Sequence, residues 1–133
     1  MDELILPAEH WQVMFHHIQA CLPEEACGLL AGTGRQVLKG YPVVNKLHSS
    51  VRFRMDEQAL VNAMVDIEKH EWQLIAIYHS HPQGPSYPSL TDQQDHYYPD
   101  SLSVIWFPIL GQWQCRAYQM DAHGYHEVAV QMC

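Results

Sequence analysis

Basic residues are scarce in this sequence of 133 amino acids, which holds 7 Lys and Arg against 15 Asp and Glu and has a formal net charge of -8. A surface with this balance repels a phosphate backbone, so we expect no nucleic-acid partner. The acidic residues are scattered along the chain rather than gathered in runs, which is typical of an ordinary solvated surface.

Long apolar runs are also missing. No stretch approaches the roughly 18 continuous apolar residues that a membrane-spanning helix requires. The first four residues, Met-Asp-Glu-Leu, are acidic and lack the basic start and apolar run of a secretory signal. We therefore expect no membrane partner and a cytoplasmic location.

The four cysteines form no C-x-x-C pair, which argues against a zinc knuckle and a thioredoxin-like motif. In a cytosolic setting we expect reduced thiols, with Cys27 as a small core residue in an apolar run. Histidine, by contrast, is abundant with 10 residues, and this number raises the expectation of a metal site.

The spacing of apolar residues predicts helices over about 8–21 and 56–71, with Asp56 as the N-cap of the second, and a short helix from about 89. It predicts strands over about 26–31, 37–44, 51–55, 74–78, 102–109, 113–119 and 126–132. The predicted fold class is α/β, a single domain over residues 1–133 with a mixed β-sheet flanked by helices. Trp106, Phe107 and Trp113 are expected in its core.

A histidine pair, His79 and His81, directly follows the predicted strand over 74–78. Residues two apart on a strand point to the same face, so the two imidazoles can converge on one point. Asp92 lies just beyond a Pro-rich loop and offers a carboxylate as a third ligand. Zinc takes such ligands in a tetrahedron, and three protein ligands leave one position for water, which is the catalytic arrangement.

Each part of this pattern also has a simpler interpretation. An H-x-H pair at a strand end is more often a pair of surface or core histidines than a metal site. Ser89 and Asp92 match the S-x-x-[DE] capping box that begins many helices. Capping and ligation are compatible, because a residue in the first turn of a helix is well fixed for binding a metal.

Two acids, Glu24 and Glu25, lie where the first predicted helix gives way to a strand. Most such pairs are exposed acids in a connection. The functional interpretation is that one carboxylate serves as a general base toward water at the metal. The residues alone leave the choice between the two acids open.

Together these residues resemble the JAMM metalloproteases, also called the MPN-plus or Mov34 class. The family motif is an upstream glutamate, then H-x-H, seven residues and S-x-x-D. Residues 79–81, 82–88 and 89–92 match its second part without substitution or gap. Residues 23–30 are similar to the segment around the family glutamate, which favours Glu25 over Glu24. The resemblance covers about 4–130, nearly the whole chain, and points to the compact prokaryotic stand-alone members.

The resemblance implies a cytidine-deaminase-like fold and one Zn²⁺ per chain held by His79, His81 and Asp92. It also implies Glu25 as general base and Ser89 as a hydrogen-bond donor to the oxyanion. The implied reaction is hydrolysis of a peptide or isopeptide bond, which we expect after the C-terminal Gly-Gly tail of a ubiquitin-like or sulfur-carrier protein. We expect that tail to add itself as a strand to a sheet edge.

The main alternative is a non-catalytic MPN-type scaffold or interaction module. Such members typically lack one or more ligands, whereas this chain keeps all of them. A zinc deaminase would need H-x-E followed by P-C-x-x-C, and the sequence contains neither. A closed structural zinc site would need a further Cys or His at suitable spacing. The identity of the substrate protein and the oligomeric state stay open.

Overall fold

The computed structural model describes residues 3–133. Within that range the chain forms seven strands and three helices, in the order β1 (Glu3–Leu6), α1 (Ala8–Cys21), β2 (Cys27–Thr33), β3 (Gln36–Val43), α2 (Glu57–Lys69), β4 (Gln73–Ser80), α3 (Leu90–Gln94), β5 (Leu102–Ile109), β6 (Gln112–Asp121) and β7 (Gly124–Met132). None of the helices in this range is long and apolar enough to cross a membrane.

The strands form one closed sheet in the order β1-β3-β2-β4-β5-β6-β7. Neighbours pair antiparallel except β4 with β5 and β1 with its two neighbours, which pair parallel. The predicted mixed sheet flanked by helices is therefore confirmed. Its closure was not predicted, because β1 has only 4 residues and so little periodicity to recognise.

The two long helices lie on opposite faces of β2, because successive strand side chains alternate between faces. Leu30 belongs to the cluster that buries Met14 and Ile18 of α1, whereas Leu29 packs with Ala63 and Ile67 of α2. Trp106 and Phe107 are buried as predicted, and Trp113 packs against the first cluster.

The predicted second helix is confirmed, with Asp56 as its N-cap accepting a hydrogen bond from the Ala59 N–H at 3.0 Å. It ends at Lys69, two residues before the predicted end. The turn residue Glu71 has a positive φ of 58°, which is outside the helical region.

The prediction of a strand over 51–55 is wrong. Residues 44–55 connect β3 to α2, and we call this segment the arm. It contains a single isolated bridge, between Asn45 and Met55. The Asn45 side chain bonds the backbone carbonyl of Arg52 and the backbone N–H of Arg54. These are groups that a neighbouring strand would otherwise bond, so the segment stays outside the sheet.

Candidate metal centre

Two buried histidines converge at the carboxyl end of β4. His79 is 1% exposed and His81 is 5% exposed, and their Nε2 atoms lie 3.1 Å apart. The His81 N–H donates to the Trp106 carbonyl at 2.8 Å, which continues the pairing of β4 with β5 by one residue. The predicted convergence of the two imidazoles is thus what the closed sheet produces.

Asp92 approaches the same point from the other side. Its Oδ2 lies 3.2 Å from His79 Nε2 and 3.1 Å from His81 Nε2. The capping box is also present, since the Asp92 N–H donates to Ser89 Oγ at 3.0 Å and the Ser89 N–H donates to Asp92 Oδ2 at 2.9 Å. One carboxylate oxygen therefore begins α3 and faces both histidines.

The spacing of these three atoms fits a divalent metal ion. A tetrahedron with metal–ligand bonds of about 2.0 Å has edges of about 3.3 Å, and the three observed separations are 3.1 to 3.2 Å. Two imidazole nitrogens and a carboxylate oxygen are also a donor set that zinc and related metals prefer.

Glu25 completes the cluster. One of its carboxylate oxygens lies within 4.8 Å of a ring nitrogen of each histidine, and Glu25 Oε1 is buried without a hydrogen-bond partner among the described residues. Glu25 is 3% exposed. Glu24 turns away instead, where its carboxylate contacts the His48 ring at 3.1 Å. The structure brings only the second of the two acids to the histidines.

Burial and charge set the protonation of these groups. Burial raises the pKa of Glu25 to about 8, although the positive charge of His81 acts to lower it. Burial acts on Asp92 in the same direction, but hydrogen bonds from His79 and His81 outweigh it and hold the Asp92 pKa well below its usual range. Burial lowers the pKa of His79. Burial and hydrogen bonding thus shift the pKa values of these two carboxyl groups in opposite directions.

Hydrogen bonds behind the cluster orient the His81 ring. His81 Nδ1 lies 2.7 Å from the Pro85 carbonyl, which leaves Nε2 to face the metal position. The neighbouring Ser86 carbonyl accepts a hydrogen bond from the Tyr118 hydroxyl on β6. The Pro-rich loop over 82–88 is therefore fixed from both sides.

Ser80, the residue between the two histidines, points away from the metal position as predicted. Its Oγ accepts from the Ala26 N–H at 2.8 Å, and its own N–H donates to the Ala26 carbonyl at 3.1 Å. The H-x-H segment therefore also holds the backbone beside Glu25.

Sequence reasoning missed two residues next to this cluster. The Phe53 ring stacks on His79 with centroids 4.6 Å apart and an interplanar angle of 26°. Asn45 donates to the Glu25 carbonyl at 3.0 Å. Both lie on the arm, far from β4 in sequence, and no local spacing connects them to it. The sequence did offer one signal for Asn45, which is an amide side chain just after the end of a predicted strand.

A cavity of about 430 Å³ adjoins the cluster between the arm and the segment 91–98. Apolar side chains contribute to its lining, among them Met55, Leu60, Ile77 and Met120. Its two walls are joined by an exposed ion pair between Arg52 Nη2 and Asp95 Oδ2 at 3.6 Å. A cavity of this volume beside a metal position is within the usual size range of ligand-binding pockets.

Comparison with known proteins gives consistent matches. Residues 7–121 match the sequence profile described as prokaryotic homologs of the JAB domain. A desampylase from Pyrococcus furiosus is 33% identical over 89 residues, which cover 67% of this chain and 63% of the relative. A CysO-cysteine peptidase from Mycobacterium tuberculosis is 30% identical over 104 residues, covering 77% of this chain and 71% of the relative.

Among solved structures, protein DSY2949 from Desulfitobacterium hafniense superposes with a TM-score of 0.88 at 28% identity. The superposition covers 97% of this chain and 92% of that protein. The matched part of the chain thus spans less than two thirds of the Pyrococcus relative but nearly all of this structural neighbour.

Proposed function

We propose that this chain, which belongs to the family of prokaryotic homologs of the JAB domain, is a zinc-dependent peptidase or isopeptidase. We propose further that it cuts after the C-terminal Gly-Gly tail of a ubiquitin-like or sulfur-carrier protein. The observation that carries this proposal is the triangle of His79, His81 and Asp92 atoms with edges of 3.1 to 3.2 Å beside the buried Glu25.

His79, His81 and Asp92 are the proposed ligands of one zinc ion. Their mutual distances fall within hydrogen-bonding range, whereas Glu25 makes no such contact with either histidine. Three protein ligands leave an open position in a tetrahedral site. When bound there, zinc lowers the pKa of a water molecule and polarises a carbonyl group.

Glu25 is the proposed general base. A cation at the three ligands would counter the effect of burial on the Glu25 pKa and favour the carboxylate that accepts a proton. Glu25 takes a proton from water as the oxygen attacks the scissile carbonyl carbon. It then returns that proton to the leaving amine, so the carboxylate is regenerated.

Ser89 is the proposed donor to the developing oxyanion. Its Oγ accepts the Asp92 N–H in the capping box, but a hydroxyl has one donor and two acceptor positions. The Ser89 proton therefore stays available to the substrate while the cap is intact. A donor fixed in this way contributes to the rate because it needs no reorganisation during the reaction.

The substrate tail cannot bind by adding a strand to a free edge of the sheet beside the metal position. The sheet is closed, so among the described strands β4 and β5 have both neighbours in place. Residues 52–55 of the arm line the cavity instead and lie outside the sheet. We propose that the tail pairs with the main chain of Phe53 in this stretch, because the Arg52 carbonyl and the Arg54 N–H are already bonded to Asn45. Glycine at the cut bond lets the backbone approach the metal closely.

Three fusions test the tail preference. One carrier protein is given a C-terminal extension after Gly-Gly, and two matched fusions carry Ala-Ala or Val-Val at that position. The zinc-loaded chain is expected to cut the Gly-Gly fusion fastest, and Glu25→Gln is expected to cut none at a comparable rate. Equal rates on all three fusions would contradict the tail recognition but leave the peptidase activity standing.

A further inference from the structure

One buried side chain connects the arm to Glu25. Asn45 is 5% exposed, and its Nδ2 donates to the carbonyls of Glu25 and Arg52, each at 3.0 Å. Its Oδ1 accepts from the N–H groups of Leu47 and Arg54, each at 3.1 Å. An asparagine amide has two donor and two acceptor positions, and these four bonds use all of them. A longer contact of 3.5 Å joins Nδ2 to the Ser49 carbonyl. The four bonds also define which atom is oxygen and which is nitrogen.

We propose that Asn45 is a positioning residue that holds Glu25 in place for catalysis. This inference rests on the proposed function, because it assigns Asn45 a role only if Glu25 is the base. Nothing in the sequence motif of the metal centre includes this residue, which lies 20 positions from Glu25 and 34 from His79.

Glu25 depends on the arm because it lies outside the ladder of the sheet. β2 begins at Cys27, so the strand pairing does not fix the Glu25 peptide groups. Its N–H donates to the Ser49 carbonyl at 2.8 Å, and its carbonyl accepts from Asn45. Both backbone groups of the proposed base are thus held by residues of the arm.

The Glu25 carboxylate itself has little else to orient it. Its Oε1 has no hydrogen-bond partner among the described residues, as expected for a group whose partner is a transient water or substrate proton. Its direction therefore follows from its backbone and from packing. A displacement of about 1 Å at a reacting group can lower a rate about 10²-fold, so the anchoring of this backbone bears directly on catalysis.

Asn45 also shapes the part of the arm that packs on His79. By bonding Arg52 and Arg54 it holds the intervening Phe53, whose ring stacks on His79. One amide therefore fixes the backbone of the base and the residue that packs on a proposed metal ligand. Substitution by Asp keeps the shape but replaces both donors with acceptors that would face two carbonyls.

The test compares Asn45→Ala with Asn62→Ala, which makes the same change on the exposed surface of α2. Activity on the Gly-Gly fusion is measured in the wild-type background and in Glu25→Gln. We expect Asn45→Ala to lower kcat about 10- to 100-fold with zinc content unchanged. In Glu25→Gln it is expected to lower kcat by a much smaller factor, because the part of its effect that passes through Glu25 has already been lost. An effect of the arm on tail binding would appear in KM in both backgrounds. Asn62→Ala is expected to change neither rate.

A second readout does not depend on activity. Trypsin cleaves after Arg52 and Arg54, and we expect faster cleavage there in Asn45→Ala than in Asn62→Ala, because the arm has lost its anchor. If Asn45→Ala does not fold, hydrogen exchange of the wild-type protein replaces it. The amides of Leu47 and Arg54 are then expected to be protected although neither lies in a helix or strand.

The outcomes distinguish failure of the role of Asn45 from failure of the proposed function. Equal losses of rate in the two backgrounds, or unprotected Leu47 and Arg54 amides, would overturn the role of Asn45 and leave the proposed function intact. Unchanged trypsin cleavage in a folded Asn45→Ala would do the same. If Glu25→Gln cleaves as fast as the wild type, the proposed function itself fails, and the role of Asn45 fails with it.

Discussion

The strand-borne and loop-borne halves of the candidate site are held in different ways. His79 is 1% exposed near the end of β4, and Glu25 is 3% exposed just before β2, which pairs with β4. Ser89 and Asp92 begin a helix of 5 residues, Leu90–Gln94, which adds no residue to the hydrophobic core. The first half is positioned by the packed fold, and the second by a capping box and by its contacts with the histidines.

The difference indicates where metal binding contributes to structure. A closed sheet over a core of this size does not need a metal to fold. The short helix α3, by contrast, gains a strong tether if Asp92 is a ligand. We therefore expect metal removal to leave the strand-borne half in place and to loosen the loop-borne half, with exchange protection falling mainly over 89–94.

The largest expected effect comes from the ligands. His79→Ala, His81→Ala and Asp92→Ala are each expected to lose most of the bound zinc and, with it, the hydrolysis. Elemental analysis of the purified variants, with circular dichroism as a check on folding, measures this. Full zinc content in all three variants would remove the proposed site. If the two halves differ as described, the metal-free variants keep the circular dichroism signal of the strands.

The second effect concerns the buried acid of the strand-borne half. Glu25→Gln is expected to bind zinc almost as the wild type does and to lose at least about 10²-fold in hydrolysis rate, because only the proton acceptor is removed. Glu24→Gln is the matched control, since Glu24 faces the exposed His48. If Glu24 proves to be the essential acid, the assignment of the base is off by one residue.

The third effect concerns Ser89 in the loop-borne half. Ser89→Ala is expected to keep zinc and to lower the rate about 10²- to 10³-fold, as removal of an oxyanion donor does. The free energy of unfolding should also fall by about 1 kcal/mol through loss of the cap. Kinetics and thermal unfolding separate the two contributions. A stability loss without a rate loss would assign Ser89 to capping alone.

The smallest expected effect concerns the hydrogen bond that joins β6 to the Pro-rich loop before Ser89. Tyr118→Phe removes the hydroxyl that bonds the Ser86 carbonyl and should lower the free energy of unfolding by about 1 kcal/mol. Zinc affinity should fall by less than about 10-fold, because the group acts on His81 only through the loop. Tyr125→Phe, at a residue 41% exposed, is the control and should change neither quantity.

The sequence predicted best what is encoded within a few residues. The spacing of His79 and His81 and the capping box from Ser89 to Asp92 are local patterns, and the structure has both. The choice between Glu24 and Glu25 required the family resemblance, because it depends on how the chain enters β2. Local reading also placed α2 and its N-cap correctly.

Features that depend on contacts between residues far apart in the chain could not be predicted from local sequence patterns. Closure of the sheet rests on β1, which pairs with β7 more than 120 residues away, as in Glu3 with Ala129. The arm was predicted to contain a strand because Val51, Phe53 and Met55 alternate with basic residues. Asn45 bonds the backbone of that segment instead. A side chain that replaces a neighbouring strand leaves no periodic signal in the sequence.

Zinc titration of the chelator-stripped protein, with cleavage of the Gly-Gly fusion measured at each step, tests the central claim most directly. We expect no cleavage without metal, a rate that rises in proportion to added zinc, and a plateau at one zinc per chain. Glu25→Gln should bind the same single equivalent and stay at least about 10²-fold slower throughout. Cleavage by the stripped protein, or full zinc binding without any cleavage of the Gly-Gly fusion, would contradict the proposal of a zinc-dependent peptidase that acts after such tails.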